Sequence, residues 1–141
     1  MSNLKLYIAV LDEVPDHMVP VLVAHATLGA HLEFYGDEDS SYKEWLEGSF
    51  RKVVLKVSRR EFEHLRKEPD VYLAHENTTL NGEKSCIVLC PRNEWPRVVQ
   101  FAKLWKPSYQ DQYARLLVRN SMLEAQISNY EWEKNPGQGA Y

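Results

Sequence analysis

MVPVLVAHATLGAHLEFY, residues 18–35, is the longest apolar run in the chain and decides its class. Asp16 can cap the start, Pro20 is tolerated in a first turn where no amide partner is needed, and Gly36 suits a left-handed stop, so the run predicts one helix. Ala24, Ala26, Gly29 and Ala30 would let its backbone lie close to a sheet. Val21, Leu22, Val23, Leu28 and Leu32 leave little of the circumference polar, which predicts a buried helix. About 15 residues separate Pro20 from Phe34, short of the ~20 a bilayer span needs, and His25, His31 and Glu33 interrupt them, so no membrane contact is expected.

Working outward, LKLYIAVL (residues 4–11) predicts a strand buried on both faces, joined to that helix by an acidic, proline-containing turn. Asp12, Glu13 and Asp16 put negative charge there and no glycine opens it to a phosphate. GDEDSS (36–41) reads as solvated loop and 42–47 as a short helix anchored by Trp45 and Leu46. RKVVLKV (51–57) is the clearest strand. SRRE (58–61) fits a capping box opening a helix with Phe62 and Leu65 inward, ended before Pro69. VYLAH (71–75) and SCIVLC (85–90) predict two further strands around an Asn81-Gly82 turn, and 93–106 a helix ended by Pro107. The order is β-α-(short α)-β-α-β-β-α: a compact three-layer α/β domain with a small mixed four-stranded sheet, covering residues 1–107.

Residues 108–134 carry a different pattern. Tyr113, Leu116, Asn120, Leu123, Ile127 and Tyr130 alternate three and four apart, a heptad seam with Asn120 at a core position and Arg119 and Glu124 at flanking positions that pair across parallel helices. Such a helix either lies on its own domain with Tyr and Leu inward or joins two copies of the chain into a homodimer. Residues 135–141 (NPGQGAY) predict a flexible tail.

The 141 residues suit one domain with an appendage, and the net charge of −3 excludes a protein that coats nucleic acid over its whole surface. A local basic face remains: seven of the 17 Lys and Arg residues fall between Arg51 and Lys67, and Lys56, Arg59, Arg60 and Arg66 are its candidate phosphate contacts. The first residues lack a cleavable leader pattern, so a cytoplasmic setting is expected. Cys86 and Cys90 would lie ~13 Å apart along a strand, too far for a disulfide, and are read as reduced core thiols. His25 and His31 are six apart, off a common helical face, and no metal or other cofactor is expected.

Three segments together resemble the type II peptidyl-tRNA hydrolases. VAHATLGAHLEF (23–34) is similar to that family's S-H-A-A-L-G first helix, WLEGSFRKVVLKVSRREFEHL (45–65) to its W-x-x-x-G-x-x-K-[IV]-V-L-K-V strand and following helix, and SCIVLCP (85–91) to its T-V-L-x-I-G-P strand. The resemblance implies a four-stranded mixed sheet and action on the ester between a peptide and the 3′ end of tRNA. Carried over residue by residue, however, the second lysine of the family's K-G-K-x-A-A-Q run falls on Met18 and its glutamine on Leu22. The aspartate and threonine of its D-A-G-x-T-Q stretch fall on Leu73 and Asn77. With the cation and carboxylate gone, the expectation is a degenerate active site and a module that binds tRNA, another RNA or a protein.

The competing enzymatic expectation keeps ester hydrolysis with substitute groups near the strand end: His25, His75 and Asn77 as catalytic candidates, together with Glu76. A further one reads His25-x-Thr27 and His75 with Asn77 or Thr78 as a faint likeness to two-histidine phosphoesterases, where two imidazoles act as acid and base on a phosphoryl oxygen.

Overall fold

The computed structural model describes residues 3–38, 40–75 and 82–134. They divide into two units, Met1–Lys106 and Pro107–Tyr141.

The first unit is built on β1 (Lys5–Leu11), whose continuous apolar sequence suits the middle of a sheet covered on both sides. β1 runs parallel to β2 (Arg51–Val57), with Lys5 opposite Arg51 and Leu11 opposite Val57. On its other side it pairs antiparallel with β4 (Lys84–Leu89), Tyr7 facing Leu89 and Val10 facing Cys86. β3 (Val71–His75) pairs antiparallel with β4, with a register irregularity between Ala74 and His75. The mixed sheet has five strands rather than four, in the order β3-β4-β1-β2-β5. β5 is only Lys103–Leu104, set antiparallel on the outer edge of β2.

That fifth strand lies inside the segment whose apolar spacing predicts a helix over 93–106. Helix α4 spans only Arg97–Phe101. Pro96 is extended and Ala102 returns to extended backbone, after which the Trp105 amide donates to the Val54 carbonyl at 2.9 Å. The open edge of β2 offers backbone partners that a final helical turn would forgo, and this pairing overrides the local helical pattern.

Helix α1 (Val19–Phe34) lies on one face of the sheet, chiefly over β3 and β4. Its approach is set by Gly29: a Cβ there would overlap the ring and hydroxyl of Tyr72 on β3. Helix α2 (Tyr42–Glu47) sits beside it, where Trp45 Nε1 donates to the Arg51 carbonyl at 2.7 Å and Tyr42 packs on Phe34. The opposite face carries α3 (Arg59–Arg66) and α4, and there Tyr7 meets Trp95 edge-on, centroids 4.6 Å apart. The result is the three-layer α/β arrangement expected. Its core is formed by β1 and β4, Leu55 and Val57, Phe62 and Leu65, Tyr42 and Trp45, and one side of α1.

Only one side of α1 is buried, against the expectation of a helix buried all round. Val19, Leu22, Ala26, Ala30 and Phe34 face the sheet, while Val21, Leu28 and Leu32 are 74%, 65% and 77% exposed. A sheet covers one flank of a helix, and among the described residues of this unit no further layer lies over the other. Gly36 does not adopt the left-handed stop either: Tyr35 remains helical, and its amide and that of Asp37 donate to the carbonyls of His31 and Phe34. β4 ends one residue earlier than the sequence suggests, at Leu89. Cys86 and Cys90 are free and buried.

The second unit contains α5 (Tyr109–Lys134), an unbroken 26-residue helix. Its described side chains are all exposed, including Tyr113, Leu116, Asn120, Leu123, Ile127 and Tyr130. Among the described residues no helix is long and apolar enough to cross a membrane.

Candidate functional site

β1 and β2 are parallel and β3 runs the same way, because β4 is antiparallel to both β1 and β3. The C-terminal ends of these three strands therefore share one edge of the sheet, the position at which open α/β sheets usually receive a ligand. Three segments meet there: the turn from β1 to α1, the start of α3 after β2, and Glu83 just before β4.

Arg59 ties them together. Its Nε and Nη2 donate to the two carboxylate oxygens of Glu13 in the first turn, at 2.7 and 2.9 Å, and its Nη1 donates to Glu83 before β4, at 2.7 Å. The forked contact with Glu13 is the planar, two-bond geometry guanidinium favours. It holds the Glu13 carboxyl below the usual carboxylate range and raises the guanidinium further above its own. The Asp12 amide adds a 2.8 Å bond to the Val57 carbonyl, fastening the same turn to the end of β2.

The N-terminus of α3 is also satisfied from within. Ser58 Oγ accepts from the Glu61 amide at 3.2 Å, and Glu61 Oε1 accepts from the Ser58 amide at 2.9 Å, forming the expected capping box. An anion that would otherwise find bare amides and a positive helix end meets the Glu61 carboxylate instead.

The candidate residues are distributed unevenly around this edge. Of the phosphate contacts, Arg59 is the centre of the clamp. Lys56 Nζ donates to the Lys106 carbonyl at 2.6 Å and lies over the Trp105 ring. Arg66 is exposed and only loosely paired with Glu63 at 3.8 Å. Arg60 is exposed and makes no ion pair among the described residues.

Of the catalytic candidates, His75 lies at the end of β3, its Nδ1 3.3 Å from Lys84 Nζ, which also approaches the Leu73 carbonyl. His25 is exposed on the outward side of α1, one position from the buried Ala26, so the helix directs its ring away from the sheet. Thr27 Oγ1 donates to the Val23 carbonyl at 2.7 Å within the same helix, which removes it from a shared His-x-Thr constellation. Asn77, Glu76 and Thr78 lie outside the described residues.

Three of the four positions where the resemblance places the family's functional groups, Met18, Leu22 and Leu73, are apolar here. Leu22 is buried against the sheet, and Met18 and Leu73 are half-buried and pack on the core. What sequence reading misses is the pair of carboxylates that claims Arg59. Glu13 and Glu83 stand 46 and 24 residues away from it, and no local spacing announces the contact. A second unforeseen contact, His31 Nδ1 with the Tyr42 hydroxyl at 2.9 Å, joins α1 to α2.

Chemically, the arrangement is a tied set of loops in which the guanidinium and both carboxylates answer one another. Compared with protein-family models and with curated proteins, the chain matches none.

Proposed function

We propose that Met1–Lys106 is a type II peptidyl-tRNA hydrolase-like domain that binds its ligand without hydrolysing it, a cytoplasmic module for tRNA or a related RNA. The observation that carries this reading is the clamp: the best-placed cation at the strand ends is spent on Glu13 and Glu83. The lysine, glutamine and aspartate positions of the family hold Met18, Leu22 and Leu73. Neither a developing negative charge nor an attacking water finds a partner among these groups. Arg60 and Arg66, exposed on α3, remain to meet a phosphate backbone.

The test is release of an N-blocked aminoacyl group from tRNA, with retention of intact tRNA scored in the same samples. Retention without release is expected. It should weaken in Arg60→Ala and Arg66→Ala, with the salt slope reduced by roughly one unit per phosphate contact removed. Release that disappears in His25→Ala or His75→Ala would instead establish the enzymatic reading with substitute residues.

One observation favours a second reading, a protein-binding module. The outward side of α1 carries Val21, Leu28, Leu32 and Tyr35, an exposed apolar row of the kind that marks interaction surfaces. Absence of both release and retention would move the function to that face.

A further inference from the structure

The second unit carries an interaction surface of its own. Helix α5 is ~39 Å long at 1.5 Å per residue, and it stays helical through Asn120, Ser121 and Asn129, residues of modest helix propensity. In proteins most helical stability comes from packing an apolar face rather than from propensity. Yet Tyr113, Leu116, Leu123 and Ile127 are each about half exposed or more, at 64%, 55%, 48% and 59%. In heptad terms Tyr113, Asn120 and Ile127 occupy position a, and Leu116, Leu123 and Tyr130 position d, so the exposed residues form one continuous seam.

We infer that this seam is covered by α5 of a second copy, in a parallel, two-stranded coiled coil. Two features select that occupant over an unrelated apolar partner. Asn120 at a meets its own counterpart only when the helices are parallel and in register, where the two amides hydrogen-bond; an apolar partner would leave a buried amide unsatisfied. Arg119 at g and Glu124 at e stand five residues apart, the offset at which g of one helix faces e of the next in a parallel pair. An antiparallel pair sets g beside g and e beside e, so Arg119 would not meet Glu124 across the seam. Leu117, also at e and 48% exposed, widens the seam, whereas Val118 and Met122 lie on the outer side.

Pairing through α5 does not depend on what the first unit binds. It adds a consequence: two binding units are tethered to the same end of the paired helices, so a ligand with two sites is held with avidity.

The full chain is weighed by sedimentation equilibrium or light scattering over a range of concentrations. A reversible species of twice the 16.5 kDa of one chain is expected. Leu116→Asp with Leu123→Asp should leave only monomer, with the near-ultraviolet signal of the tryptophans in the first unit unchanged. Arg119→Glu alone and Glu124→Arg alone should each raise the dimer dissociation constant by roughly tenfold, and the two together should restore it. Asn120→Cys should cross-link two chains on oxidation. A monomeric wild-type chain, a trimer or larger assembly, or charge reversals that do not compensate would each overturn the parallel dimer.

Discussion

Gly29→Ala measures directly how α1 is seated on the sheet. In an exposed helix interior this change stabilises by about 1 kcal/mol, because glycine loses more backbone entropy on folding than alanine. Here the new methyl would lie on the Tyr72 hydroxyl and only 2.5 and 2.7 Å from Cζ and Cε1, where carbon atoms need roughly 3.5 Å or more. The ring must shift by roughly 1 Å or the helix must lift from β3. Overpacking of this kind costs ~1–3 kcal/mol, so it offsets or exceeds the helical gain and leaves a net destabilisation of ~0–2 kcal/mol.

The cycle is closed with Tyr72→Ala, which removes the obstruction. In that background Gly29→Ala should stabilise by the ordinary ~1 kcal/mol, giving a coupling of ~1–3 kcal/mol between the two positions. Urea midpoints followed by tryptophan fluorescence provide all four corners at unchanged slope. If Gly29→Ala stabilises the wild-type chain by the full amount, or the two changes add, then Tyr72 does not lie under Gly29 and the seating of α1 described here is wrong.

Other perturbations test other parts of the unit. Ser58→Ala should cost ~1 kcal/mol by opening both bonds of the capping box at α3, read as a lowered thermal midpoint; an unchanged midpoint would mean that the box contributes nothing. Stability should fall as pH rises above about 9, because burial pushes the Cys86 thiol up from 9.0 to about 12 and the unfolded chain therefore releases its proton first. The slope for that single group is roughly 1.4 kcal/mol per pH unit, and Cys86→Ala should lower the measured slope by about that amount in urea midpoints taken between pH 8 and 10.5, leaving the part due to Cys90, which burial pushes up to about 11. Glu13→Gln combined with Glu83→Gln should remove the negative charge that answers the Arg59 guanidinium. If RNA is the ligand, retention should strengthen and the salt slope steepen by roughly 0.7–0.9, whereas an unchanged slope would separate Arg59 from any phosphate contact.

The elements that were legible in the sequence are those whose local pattern and tertiary role agree. The apolar run of β1, the basic-flanked β2 and the Ser58-to-Glu61 box each specify in a few residues what the fold then uses. The end of the first unit was not legible, because Trp95, Val98, Val99 and Ala102 recur at helical spacing while the decisive fact, a free edge on β2, belongs to a strand about 50 residues earlier. The burial of α1 departs from its apolar composition for a related reason. Apolar composition reports what a helix could bury, not how many sides its neighbours cover. For the candidate site, the basic composition of β2 and α3 was evident, yet composition cannot reveal that Glu13 and Glu83 converge on Arg59.

That convergence fastens the loops at the strand ends of this α/β unit to one another. At the strand ends of an open sheet, loops must be held in place by something, and in a site built for catalysis the bound ligand shares that role. Here one guanidinium holds the turn before α1 to the start of α3 and to the start of β4, and Glu61 fills the helix end beside it. The ion pairs are half-exposed, so their effect lies in geometry more than in stability. A cation so engaged no longer presents an unpaired charge to an incoming phosphate. Any recognition must then come from groups outside the clamp: the exposed arginines of α3, the apolar outer side of α1, or the seam of α5. Those three surfaces lie on helices, whereas at the strand ends the Arg59 guanidinium and its two carboxylates hold one another.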